Sequence, residues 1–119
     1  MTKYFSITGP NGSAITRRAL LADTFISRLI GLTFRKSLPA DEALIFYKAS
    51  GIHTFFMRFA FDLVFLDKQN KIMRICEGIK PNRQVYCRGA AISIEFAPGT
   101  VAKKSLKIGD ILELAPLKL

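Results

Sequence analysis

Seven side chains in this sequence have the chemistry to hold or transform a ligand: His53, Cys76, Cys87, Asp62, Glu95, Arg35 and Arg58. His53 is the only histidine, and the two cysteines are the only thiols. A nucleophilic enzyme would pair His53 with Cys76 or Cys87, the imidazole taking the thiol proton. Asp62 or Glu95 would then orient the ring. No elbow, oxyanion loop or cysteine signature surrounds either thiol, so the plainer reading of His53 is a hydrogen-bonded imidazole at a strand end. A metal site has as little support. One histidine and two cysteines with ten residues between them match no standard zinc spacing. Neither a metal nor a cofactor is expected.

The carboxylates are more informative. Asp62 interrupts the apolar run from Phe59 to Leu66, and Glu95 lies between Ile94 and Phe96. A carboxylate buried in such a run needs hydrogen bonds or a cation. The functional reading is an acid lining a pocket. The structural reading, which is favoured, is a group that satisfies backbone amides or an arginine where strands bend. Arg35 and Arg58 are the natural cations, because a guanidinium fork meets a carboxylate at two points. Phe55, Phe56, Phe59, Phe61 and Phe65 could stack bases of a single strand beside Arg58. Phenylalanines on successive short strands more often build a core. No glycine loop of the phosphate-cradling kind is present.

These residues must be positioned mainly by strands. Lys3 to Thr8 and Ser13 to Leu21 flank the turn formers Gly9-Pro10-Asn11-Gly12, so an opening hairpin is expected. Asp23-Thr24 offers a helix cap, and Phe25, Ile26, Leu29 and Ile30 share one helical face. This spacing predicts a helix over 24–33. Short strands follow at 43–47, 52–57, 61–66, 71–76, 91–96 and 111–114. Phe61 to Leu66 reads as buried on both faces, with Asp62 its one polar side chain. The expected fold is mainly β (α+β): a compact, closed or nearly closed barrel-like domain of seven or eight short strands with one packed helix. Phe61, Leu63, Val64, Phe65, Ile92, Ile94 and Ile111 are expected in its core, with the 25–30 helical face upon them. One domain over 1–119 fits a chain of 119 residues with no repeat or linker.

The charge is +9, from 18 Lys and Arg against 9 Asp and Glu. It favours encounter with nucleic acid, anionic lipid or acidic protein. No basic run exceeds two residues, as at Arg17-Arg18, Arg35-Lys36 and Lys103-Lys104, so only weak, salt-sensitive nucleic-acid binding is expected. No stretch is long enough to span a bilayer, and Met1 to Pro10 lacks the pattern of a secretion signal. A cytoplasmic location and no membrane partner are therefore expected. In that compartment Cys76 and Cys87 should be free and partly buried thiols, without a disulfide and without a nucleophilic role.

Four blocks resemble a known family. Gly31-Leu32-Thr33-Phe34-Arg35-Lys36-Ser37-Leu38, the segment from His53 to Asp67, Ile94-Glu95-Phe96-Ala97-Pro98-Gly99-Thr100, and Lys107-Ile108-Gly109-Asp110-Ile111-Leu112 are similar, in that order, to the signature segments of the bacterial and archaeal domain of unknown function 192. Thr33 stands where that family usually has Met, Ala60 where it has Pro, and Ala97-Pro98 in reversed order. The resemblance implies a β-barrel-like domain with a packed helix. It brings no settled activity, substrate or cofactor.

The expected function is a small binding module for an anionic small molecule or a protein partner. Its candidate site residues are His53, Arg58, Asp62, Glu95 and Arg35. A hydrolase-type enzyme is the alternative, and a weak nucleic-acid binder the third.

Overall fold

In the computed structural model the described residues are 4–21, 40–47, the backbone of 51–53, 60–80 and 83–117. The helix expected over 24–33, most of the strand expected over 52–57, and both Arg35 and Arg58 lie outside them.

The expected hairpin forms. β1 (Tyr4–Thr8) and β2 (Ala14–Leu21) pair antiparallel across a 3-10 turn, Pro10–Gly12. Proline presets the first φ of that turn, and Asn11 and Gly12 supply its left-handed steps at φ 61° and 73°. The strands that follow are β3 (Glu42–Tyr47), β4 (Gly51–His53), β5 (Phe61–Leu66), β6 (Ile72–Ile79), β7 (Gln84–Tyr86), β8 (Ile92–Phe96) and β9 (Glu113–Pro116). One short helix, α1 (Thr100–Lys103), follows β8. Seven strands make one sheet in the order β6-β5-β8-β3-β2-β1-β9, and β4 pairs with β7 in a small second sheet. Every pairing is antiparallel except β2 with β3.

The large sheet is not a closed barrel. Among the described residues its edge strands β6 and β9 approach only near their ends, through a single bridge between Lys71 and Ile111 and the hydrogen bonds around it. The barrel likeness is thus a matter of curl, without a closing ladder.

Alternation along the strands gives the sheet two buried faces. The first face carries Ile7, Ala19, Ile45, Val64, Ile94 and Leu112, with Val101 of α1 packed among them. The second carries Leu44, Phe46, Phe61, Leu63, Phe65 and Ile79, with Leu20, Cys76, Val85 and Cys87 at its margin. Phe61, Leu63, Val64, Phe65, Ile92 and Ile94 are buried as expected. Ile111 is not: it is 56% exposed. Leu112 takes the inward place and β9 begins only at Glu113. A shift of one residue moves a strand side chain to the opposite face.

Candidate functional site

Asp62 and Glu95 sit on neighbouring central strands, one register step apart. Asp62 pairs with Phe96 and Leu63 pairs with Glu95. Their side chains therefore leave opposite faces of the sheet. Both residues are sealed from solvent, at 1% and 0% exposure.

The surroundings of Asp62 follow from the chain near it. Phe61 pairs with Ile79 but Leu63 with Cys76, so β6 carries one extra residue opposite Asp62. Such a bulge removes an amide from the ladder. Gly78 lies in it at φ +59°, in the left-handed region that favours glycine. The freed Gly78 amide donates to Asp62 Oδ1 at 2.9 Å. The other oxygen, Oδ2, accepts from the Val101 amide at 3.0 Å. Val101 is in the first turn of α1, whose cap position, Gly99, has no side chain to offer. Asp62 thus ties a bulge and a helix start to the central strand. This is the structural reading of the sequence: a carboxylate holding backbone amides.

Glu95 has no such partners. Neither of its oxygens has a hydrogen bond among the described residues, and the Ser93 hydroxyl two positions away on the same face has none either. Leu44 and Leu63 flank Glu95 directly, while Phe46 and Phe65 flank Ser93. Removal from water disfavours the charged form, and burial raises the Glu95 pKa from 4.5 to about 8. Near neutral pH this carboxyl holds its proton, and so offers one O–H donor and one carbonyl acceptor.

Pairing register extends this position into a row across six strands. Tyr4, Leu20, Leu44, Glu95, Leu63 and Cys76 stand side by side on the second face. Glu95 is the single ionisable carboxyl in the row, at its buried middle. At the Tyr4 end the face opens into a groove of about 490 Å³ lined by Tyr4, Arg17, Arg18, Asp41, Glu42 and Leu117. The Arg18 guanidinium lies 4.2 Å from the Tyr4 ring centroid, and Arg17 pairs with Asp41 at 2.5 Å. Two cations and two acids balance there, so the groove holds no net attraction for an anion.

The other expected residues fall as follows. His53 ends β4, in register with Gln84 of β7. Arg35 and Arg58 lie outside the described residues. Cys76 and Cys87 are free and half-buried at the margin of the second face. They do not face each other across a ladder, because β6 pairs with β5 and β7 with β4. Among the described residues no group of three or more His, Cys, Asp or Glu could hold a metal ion, and no helix is long and apolar enough to cross a membrane. The residue that sequence reasoning missed is Ser93. Its signal was present in the alternation Ile92-Ser93-Ile94-Glu95-Phe96, which puts a second polar group on the Glu95 side.

Sheet, short helix and sealed acid define a small β domain with a polar pair held inside its second core. The chain belongs to the DUF192 family, described as an uncharacterized ACR, which matches residues 7–114. A UPF0127 protein of Pyrococcus furiosus is 32% identical over 110 residues, covering 86% of this chain and 90% of that protein. A UPF0127 protein of Thermococcus sibiricus is 29% identical over 113 residues, covering 90% and 72%. Two crystal structures share the fold. One, from Sinorhizobium meliloti and named as a candidate transcription regulator, has a TM-score of 0.81 at 21% identity, covering 96% of this chain and 94% of that one. The other, a protein of unknown function from Novosphingobium aromaticivorans, has a TM-score of 0.79 at 24% identity, covering 92% and 83%.

Proposed function

We propose that this protein is a non-catalytic binding module for a small anionic molecule, and that Glu95 and Ser93 are its recognition groups. The observation that carries this reading is the missing partners of two buried polar side chains on one face. Each polar group left so costs about 1–3 kcal/mol, an expense that a core position filled by leucine would avoid. A ligand that fits between them recovers it. A protonated Glu95 donates to an anionic oxygen where a carboxylate would repel it, and Ser93 offers a second donor. The net charge of +9 raises the rate at which anions are met. Because both side chains are sealed, the ligand enters when the layer over this face parts.

A thermal-shift screen of small carboxylates and phosphate esters tests it. A ligand at a hundred times its Kd stabilises by about 2.7 kcal/mol. The hit should lose its shift in Glu95→Leu and be weakened in Ser93→Ala. No hit in the panel, or a hit that shifts Glu95→Leu equally, would set the reading aside.

A hydrolase is the second reading, resting on one carboxyl sealed between Leu44 and Leu63. A carboxyl that keeps its proton to about 8 suits a general acid. Turnover of generic ester or phosphoester substrates, abolished in Glu95→Gln, would put this reading first.

A further inference from the structure

The fold gathers part of the charge that the sequence scatters. Lys68 and Lys71 lie in the β5–β6 turn, Lys103 ends α1, and Lys104 and Lys107 lie between α1 and β9; all five are exposed. The two segments are joined. The Leu112 amide donates to the Asn70 carbonyl at 2.9 Å, the Gly109 amide to the Ile72 carbonyl at 2.9 Å, and Lys71 bridges to Ile111. Among the described residues none of the five lysines has an ion-pair partner. The acids of the tip are turned to its own backbone. Asp67 accepts from the Gln69 and Lys71 amides, and Asp110 from the Lys107 amide. Glu113 lies just beyond, at the start of β9.

Within this basic tip stand two bare aliphatic side chains. Ile108 is 68% exposed and Ile111 is 56% exposed, more than any other large hydrophobic side chain among the described residues. Gly109, at φ +96°, makes the turn between them. Exposed apolar side chains on segments whose lysines have no ion-pair partner among the described residues call for a partner that is apolar beneath an anionic surface.

We propose that this tip docks peripherally on an anionic lipid surface, with Ile108 and Ile111 entering the boundary between headgroups and acyl chains and the lysines meeting lipid phosphates. This contact is peripheral, not spanning, and it departs from the expectation of no membrane partner. A second copy of the chain fits the tip poorly, because a symmetric contact sets lysine against lysine. Single-stranded nucleic acid fits poorly as well, since the segments 67–71 and 103–113 carry no aromatic side chain on which a base could stack. Two isoleucines are also far short of the roughly 800 Å² per partner of a stable protein interface.

The test is co-sedimentation of the full chain with equimolar phosphatidylserine–phosphatidylcholine vesicles, beside phosphatidylcholine vesicles alone and beside a single-stranded oligonucleotide. Binding is expected to the anionic vesicles and not to the neutral ones. Each lysine near such a surface contributes about 1 kcal/mol, roughly fivefold in affinity. The variant Lys103→Gln/Lys104→Gln/Lys107→Gln should therefore bind roughly a hundredfold more weakly. The variant Ile108→Ser/Ile111→Ser should bind at least about tenfold more weakly, with an unchanged melting temperature because both side chains are exposed. Three results would overturn the proposal: no binding to anionic vesicles at low salt, equal binding by the isoleucine variant, or tighter binding to the oligonucleotide than to the vesicles.

Discussion

Among the described residues the two faces of the central sheet each bury one carboxyl, one register step apart, and treat it in opposite ways. On the first face Asp62 receives two backbone amides, one from the β6 bulge and one from the start of α1. On the second face Glu95 receives none. Equal burial and equal residue class therefore say little about role. What separates them is whether the chain nearby has backbone amides to spare. A bulge and a helix start do; the regular ladder around Glu95, where β8 pairs in unbroken register with β3 on one side and β5 on the other, does not.

The largest effect should come from removing the group that is used. Asp62→Ala leaves the Gly78 and Val101 amides without their acceptor and should cost about 3–5 kcal/mol in urea unfolding, counting both lost partners. A cost under about 1 kcal/mol would mean that the bulge and the helix start are held by other contacts.

Glu95 should instead give a pH signature. Its carboxyl has an ordinary value of 4.5, which the unfolded chain keeps, and a folded value of about 8. Below 4.5 both states hold the proton. Between 4.5 and 8 only the folded state holds it, so stability falls as pH rises, by up to about 1.4 kcal/mol per pH unit. Above 8 the contribution is gone. The difference between wild type and Glu95→Gln isolates it, and a flat difference across that window would count against an unpartnered acid.

Replacing Glu95 by a side chain suited to its apolar neighbours should raise stability. At pH 7, Glu95→Leu is expected to gain about 1–3 kcal/mol, the size of the desolvation penalty removed. A loss would assign Glu95 a structural role like that of Asp62. The smallest effect belongs to the surface. Arg17 and Asp41 pair at 2.5 Å but are 78% and 57% exposed. A double-mutant cycle should return less than about 1 kcal/mol, because water and salt screen such pairs.

Much of the fold was legible from local pattern. Phe61–Leu66 is a strand over the expected residues, and the opening hairpin turns where Gly9-Pro10-Asn11-Gly12 predicts. α1 and β7 escaped because four-residue and three-residue elements are too short to show a period. Ile111 was misplaced because β9 starts later than its hydrophobicity suggests. The site was only half legible. Both acids announce themselves by interrupting apolar strands, yet Asp62 and Glu95 look alike in sequence. The amides that distinguish them come from Gly78 and Val101, 16 and 39 residues away from Asp62. The row from Tyr4 to Cys76 depends likewise on six strands in register, including the parallel step from Leu20 to Leu44. Local periodicity carries no information on such pairings.

The central claim is that Glu95 is a buried carboxyl without a partner, held neutral inside the second core. Titration of its side-chain carboxyl carbon by NMR in the intact, ligand-free protein measures this directly. The account predicts a midpoint near 8, far above the ordinary carboxyl value of 4.5. A midpoint near the ordinary 4.5 would contradict it, since the carboxylate would then be charged and satisfied at neutral pH.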